Sequence, residues 1–390
     1  MSAAPAAREV RFGYNPGLDG LRAIAIVAVV CLHGGYAPSG GIQGVTMFFV
    51  VSGYLITSLL ESEFARHGTI RFGHFYRRRL VRLFPALLVV TIAGAAYLLY
   101  IQTPISTWWA GAVGSVTYTT DLISGFFGNQ AVSSNFQFTW TLGIEEQFYL
   151  LWPIILLLFL RLGRIIPAMV FVALGVILTW VYRATQDSNS PDPAVSAAYQ
   201  FGPLSHLDAL LLGCGIALIL VRFPNSAVVR RIAVVLGVIG SLTLGVYLFL
   251  NQSPFTNDGY GFLAIVSACV VLWVAASPNG PLSRALAFRP FVFIGRISYG
   301  IYLWNIVLLW AFVKIFNFMP GTSPLGLIWV AAVFGFAWAS YRFVETPFRR
   351  RWAAPQPHAV VAEVVQEPAT SPVERGVVGA LGAVRATRRD

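Results

Sequence analysis

Charge is what this sequence lacks. Only 11% of its 390 residues are Asp, Glu, Lys or Arg and 57% are hydrophobic, whereas an ordinary soluble domain carries about 25% charged residues. That scarcity excludes a soluble globular protein. Acids are scarcer than bases, 16 against 27, yet the excess positive charge is not gathered into a nucleic-acid-binding face. The arginines instead fall in short clusters between apolar runs, so no nucleic acid is expected as a partner. Cysteine is nearly missing too: Cys31, Cys214 and Cys269 all lie inside apolar runs, which excludes a disulfide framework and a thiolate metal site. No HExxH, P-loop or dinucleotide fingerprint occurs. Neither a metal nor a bound cofactor is expected.

What fills the chain is apolar sequence in stretches close to the ~20 residues that cross a bilayer core of about 30 Å. The expected fold is an all-α, polytopic transmembrane helical bundle. Spans are read near 18–36, 43–60, 83–101, 142–160, 165–182, 204–221, 232–250, 260–276, 294–316 and 324–343. These crossings, about ten, leave both termini on one side, and the distribution of arginine makes that side cytoplasmic. Only Arg183 and Lys314 fall in or near outer segments. The division that follows is a cytoplasmic N-terminal segment 1–17, a transmembrane domain 18–350 and a disordered cytoplasmic tail 351–390. Residues 1–35 have the outline of a secretory signal, but Asp19, Arg22 and His33 are odd passengers for a cleaved segment, so the first helix is expected to stay. The stretch 102–138, with "WWAGAVGSVTY", either crosses twice or re-enters.

Ionisable side chains at membrane depth are costly, and they mark function by default. His33 lies about 16 Å above Arg22, counted at 1.5 Å per residue. In "TWTLGIEEQFYLLWPIILLLFL" (139–160), Glu146 and Glu145 lie about 23–24 Å above Arg161. Asp208 and His206 lie about 21–24 Å above Arg222. Acids and imidazoles of three spans thus share one band, from the middle to the outer half of the bilayer. The functional reading is a wet cavity in which a carboxylate orients the His33 imidazole as a general base; the plain one is an interhelical polar clamp that only fixes packing. Which of Glu145 and Glu146 faces His33 stays open, because neighbours on a helix point 100° apart.

Arg22 and His33 are close to three full turns apart and share a helix face. In "FYRRRLVRLFPAL" (75–87), Arg77, Arg78, Arg79 and Arg82 precede the third span. They read as a headgroup anchor or as a cradle for a phosphorylated ligand. His67, His74 and His358 fall in cytoplasmic segments and read as solvated. "GVTMFFVVSGYLIT" (44–57) lacks the Gly-x-Ser-x-Gly of a nucleophile elbow, so Ser52 and Gly53 read as a close helix contact.

Taken together, "LDGLRAIAIVAVVCLH", "GGIQGVTMFFVVSGYLIT", "FYRRRLVRLFPALL", "FTWTLGIEEQFYLLWP", "HLDALLLGCGIAL", "ISYGIYLWN" and "YRFVETPFRR" resemble, in that order, the acyltransferase-3 family of bacterial integral-membrane O-acyltransferases. The resemblance spans about 16–350. It implies a multi-pass protein of the bacterial inner (plasma) membrane that moves an acyl group, commonly acetyl, from cytoplasmic acyl-CoA to a hydroxyl. The acceptor it implies is a carbohydrate, a glycolipid or a macrolide. Acyl-CoA, here acetyl-CoA, is then a co-substrate and not a bound cofactor. The family's Arg-x10-His pattern falls on Arg22 and His33, its Arg-rich segment on Arg79 and Arg82, and its Glu-Glu-Gln on Glu145, Glu146 and Gln147.

The resemblance therefore implies a catalytic set of His33, Glu145 and Glu146, with Arg22, Arg79, Arg82, Gln147 and Asn305 on the substrates; Asp208, singled out by its charge at membrane depth, is expected to join them. One departure stands out: the family's Tyr-Leu-Trp-His reads "YLWN" here, and Asn305 cannot take a proton at neutral pH. Direct transfer and an acyl-enzyme both remain open. Two rivals use the same polar cluster: a proton-coupled transporter, which would show inverted repeats, and a non-enzymatic membrane scaffold.

Overall fold

The structure, a computed structural model, describes residues 13–37, 40–128, 132, 134–186, 190–250 and 259–352. Of the expected tail 351–390, the first two residues belong to the last helix, which ends at Trp352; residues 353–390 and 1–12 lie outside the described residues. Among the described residues there is no strand. The long helices are α1 Pro16–Gly34, α2 Gly41–His67, α3 Phe72–Tyr100, α4 Trp140–Arg161, α5 Ile165–Ala184, α6 Leu207–Arg222, α7 Ala227–Leu250, α8 Gly259–Ala276, α9 Arg289–Phe316 and α10 Gly326–Trp352. Each overlaps one of the spans read from hydropathy, with ends that differ by up to three residues where 18–36, 83–101, 204–221 and 324–343 run past their helices.

Nine of them are long and apolar enough to cross a membrane. The exception, α6, has 16 residues and reaches about 24 Å; it packs between α2, α5 and α8. The outward faces are apolar, as lipid requires. On α5, Ile166, Val170, Leu174, Ile177, Leu178 and Val181 are all exposed and recur at helical spacing. This is a multi-pass membrane protein.

Local sequence sets the helix ends. Asn15 caps α1, its side-chain oxygen accepting from the Gly17 N–H at 3.0 Å, with Pro16 at the first helical position, where a missing N–H costs nothing. Gly35 ends the helix in the left-handed region at φ 71°. The stretch 102–138 crosses neither once nor twice. It forms a 3-10 turn, Ile105–Thr107, and short helices Trp109–Thr117, Thr120–Phe127 and Ser134–Gln137, the longest of 9 residues, too short to span.

Small residues let the central helices touch. A Cβ on Gly53 would overlap the Leu210 carbonyl, and one on Gly213 would overlap that of Val50, so α2 and α6 meet backbone to backbone. Gly295 likewise admits the Asp19 carbonyl, which brings α9 against α1. Among the described residues the apolar interior divides into two large cores and a small cluster of Leu98, Trp108, Val132 and Phe136, and α1 borders both large ones: Leu18, Leu21 and Ala25 belong to one, Ile26, Val29 and Val30 to the other. Arg22 and His33 lie on the stripe of the second core, at Arg22, Ile26, Val29 and His33.

Candidate active site

Alternation of the helices gathers the starts of α1, α3, α5, α7 and α9 with the ends of their even-numbered neighbours. That end carries Arg161, Arg164, Arg222, Arg230, Arg231, Arg284 and Arg289 and is called the basic end below. The remaining site residues form a column running away from it.

Lowest in the column is an arginine group. Arg22 of α1 donates to the Ser298 hydroxyl of α9 at 3.1 Å and stands 4.0 Å from Asp19. Arg82 of α3 has accessible surface and is surrounded electrostatically by Arg22, Arg79, Arg349 and Glu345. Glu345 is only 3% exposed, and its Oε1 has no hydrogen-bond partner among the described residues. It sits in a π-helical segment of α10, Ser340–Glu345, an irregularity frequent at functional sites. Arg78 is committed elsewhere, to Glu63 at 3.3 Å.

On the same helix, one turn nearer the basic end than Arg82, Arg79 lies over the Tyr149 ring at 3.3 Å from its centroid and 3.5 Å from Glu146. The Tyr149 hydroxyl forms a short hydrogen bond with Ser52. Glu145 is within the field of Arg79, Ser52 and Arg22. Ser52 is thus more than a packing contact: it joins the glutamate and arginine group.

Higher again, the Tyr302 hydroxyl donates to the Phe138 carbonyl, so the Thr141 hydroxyl, 2.6 Å away, donates to Tyr302. One turn above Tyr302, His33 Nδ1 meets Asn305 Oδ1 at 2.6 Å. His33 also lines a recess of ≈ 360 Å³ at the end opposite the basic one, with Gln137, Phe138, Trp140, Phe201 and Ile306.

The glutamates therefore do not orient the imidazole, as the sequence led us to expect. Glu145 lies one turn toward the basic end from Thr141, and Asn305 nearly one turn the other way from Tyr302. These offsets separate carboxylate and imidazole by about 10 Å along the bundle. The partner of His33 is an amide. Both acids instead face Arg79, which stands on a stretch of α3 beside the middle of α4: Tyr76, one turn before it, donates to the Leu150 carbonyl at 3.0 Å.

Asp208, expected on a substrate, is a structural clamp. Its Oδ2 receives Arg183 at 2.7 Å and the Trp180 indole at 2.9 Å, and its Oδ1 takes the Ala209 N–H. His206 Nε2 donates to the Gln200 carbonyl at 3.0 Å, and the ring is packed between Trp140 and Tyr260. Gln147 is also committed: its amide donates to the Tyr118 carbonyl and to both oxygens of Asp121, tying the short helices to α4. Asp121 lies outside the membrane-spanning helices, and burial pushes its carboxyl up to about 6, against the lowering effect of the Gln147 bond.

Residues that sequence reasoning passed over are Tyr149, Tyr302 and Glu345. Tyr149 could have been found at helical spacing from Glu145 and Glu146. Glu345 could have been found as the acid in the arginine-rich end of the last span. Among the described residues no group of His, Cys, Asp and Glu could hold a metal ion.

The Acyltransferase domain family matches residues 15–342. Among curated proteins, the chain is 30% identical over 351 residues to the peptidoglycan O-acetyltransferase OatA of Listeria monocytogenes, an alignment covering 86% of this chain and 56% of that protein. It is 31% identical over 368 residues to the O-acetyltransferase OatA of Staphylococcus aureus strain NCTC 8325, covering 87% and 58%. The chain thus spans a little over half the length of these relatives. No solved structure matches it.

Proposed function

The chain belongs to the Acyltransferase domain family, and from that premise we propose that it is a membrane O-acyltransferase. In this reading it moves an acetyl group from acetyl-CoA, held at a cytoplasmic basic end of a bacterial plasma membrane protein, to a sugar hydroxyl entering the recess at the other end. The observation that carries the reading is the column itself. It begins in accessible arginine, whose guanidinium suits phosphate, and ends in an imidazole that opens into a recess large enough for a ring.

Arg22 and Arg82 bind the donor's phosphates, with Arg349 beside them. The pantetheine arm then carries the thioester up the column, over the roughly 16 Å from Arg22 to His33. Glu145 and Glu146 act on the donor side, holding Arg79 flat on Tyr149 so that the passage keeps its cation in a fixed place. At the top, His33 Nε2 removes the proton of the acceptor hydroxyl while that oxygen attacks the thioester carbonyl. As the tetrahedral intermediate collapses, the C–S bond breaks and the imidazolium returns its proton to the thiolate. General-base help of this kind supplies typically ~10²–10⁴-fold, and positioning of two bound substrates supplies much of the rest. Aromatic faces at Trp140, Phe138 and Phe201 suit the apolar face of a pyranose. A relative that is by name a peptidoglycan O-acetyltransferase points to an envelope glycan as the first acceptor to try.

The test reconstitutes the full chain in liposomes with radiolabelled acetyl-CoA and a panel of envelope glycans and glycolipids. Wild type transfers label, and His33→Ala does not. Transfer that survives His33→Ala discards the base. Substrate movement across the bilayer without any acyl-CoA moves the protein to the transporter class.

A further inference from the structure

We infer that Asn305 is the positioning residue of the reaction, fixing His33 in the one tautomer whose basic nitrogen faces the acceptor recess; this rests on the reading of His33 as the base. Asn305 stands on α9, fully buried, and its Nδ2 donates to the carbonyls of Ile301 and Tyr302 in the preceding turn. An amide has one NH2 and one carbonyl oxygen. With Nδ2 held by carbonyls, the end that meets His33 is Oδ1, which can only accept. His33 Nδ1, at 2.6 Å from it, must therefore carry the proton, and Nε2 carries the lone pair. Trp329 donates to the Asn305 backbone carbonyl at 3.2 Å, which holds this turn of α9 in place.

His33 lines the recess; its Nδ1 is taken by Asn305, which leaves Nε2, without a hydrogen-bond partner among the described residues, as the nitrogen available to a hydroxyl there. A serine-hydrolase triad uses the same division of labour, with an acceptor on Nδ1–H and the base at Nε2. Here the acceptor is neutral. Asn305 thus sets which ring nitrogen is basic, and with it the side of the protein from which the hydroxyl must come. Its inability to take a proton, a departure in sequence, is what makes the assignment unambiguous: a histidine at 305 has a nitrogen that either accepts or donates.

The experiment labels histidine with 15N in the full chain in nanodiscs and assigns His33 by difference against His33→Gln. The ring nitrogens of wild type are expected as Nδ1–H and bare Nε2. Asn305→Asp, which keeps an acceptor on Nδ1–H, retains that pattern. Asn305→Leu, of similar volume without the acceptor, shows mixed tautomers. In the transfer assay Asn305→Leu lowers kcat on the order of 10²-fold, the scale of a lost general base, with KM for acetyl-CoA changed by less than about twofold, and Asn305→Asp recovers most of it. Wild type carrying its proton on Nε2, or Asn305→Leu with an unshifted spectrum or an effect on KM alone, overturns the inference. Loss of the functional reading looks different: transfer survives His33→Ala while the spectrum still shows Nδ1–H.

Discussion

Removing the charge of Asp208 separates two roles for it, a substrate contact and a clamp. Its partner Arg183 is 1% exposed and the carboxylate 2%, at 2.7 Å; the guanidinium also donates from Nε to the Ser205 carbonyl at 3.1 Å and lies 5.9 Å from the Tyr260 ring centroid, neither of which supplies a counter-charge. Asp208→Asn keeps the shape and the acceptor for Ala209 but leaves Arg183 as a buried cation without a counter-charge. Breaking one partner of such a pair costs about 3–5 kcal/mol. Removing both, as Arg183→Met with Asp208→Leu, replaces the pair by apolar groups and is expected to lie within about 1 kcal/mol of wild type or above it. The single costs therefore do not add, and the coupling is read from a double-mutant cycle. Thermal unfolding in detergent supplies the stabilities, and KM for acetyl-CoA, measured well below the transition, supplies the second axis. The clamp predicts a large loss of stability in the single variant, recovery in the double, and an unchanged KM throughout. A single variant as stable as wild type with KM raised severalfold refutes the reasoning and returns Asp208 to the substrate.

Three further outcomes follow from the same geometry. Arg82→Ala raises KM for acetyl-CoA about 10–100-fold, the worth of a charge-assisted hydrogen bond, whereas Arg78→Ala, whose guanidinium is occupied by Glu63, changes it by less than about threefold; equal effects would place the donor's phosphates elsewhere. Asp121 holds its proton more tightly in the folded protein, at about 6 against an ordinary 3.8, so its contribution to stability is present below the lower value and lost as pH rises through the upper one. Asp121→Asn should then stabilise at pH 8 and not at pH 4, by thermal unfolding, and a gain at pH 4 alone reverses the sign and the assignment. Gly53→Ala puts a methyl into the Leu210 carbonyl, forcing α2 from α6 and Ser52 from Tyr149; the yield of folded protein by size-exclusion chromatography falls, and normal yield means the two backbones are not in contact.

The bundle was legible because lipid imposes a simple rule: apolar length marks a helix, and clustered arginine marks an end. The rule fails where helices bury polar groups against each other, since depth along a helix says nothing about the direction of a side chain. Counting along the sequence put Asp208, Glu145 and His33 in one band of depth, yet Glu145 and His33 are about 10 Å apart along the bundle, and Asp208 is turned toward α5, Glu145 toward α3 and His33 toward α9. The interior of 102–138 was ambiguous for a related reason: Gly-rich apolar sequence lies equally well across a membrane or folded over the end of a bundle, and only its packing against α3 and α4 decides.

Two irregularities in the sequence nevertheless pointed at the answer. Arg183 breaks the pattern that puts arginine at one end, and a cation on the wrong side of a membrane protein has to be paired. A search for its counter-charge among the acids at similar depth leads to Asp208, 25 residues after Arg183 in sequence. Asn305 breaks the resemblance at a position where the family has an ionisable ring. Replacing that ring by an amide removes a proton-transfer group and leaves a hydrogen-bond acceptor, and the group on the chain with most use for a fixed acceptor is an imidazole that must keep one nitrogen bare. Both exceptions are cheaper to explain by a named partner than by tolerance, because an unpaired cation or amide buried in a bundle costs several kcal/mol. In a chain this poor in polar residues, each buried polar side chain implies a second one, and the partner of an exception is the residue to look for.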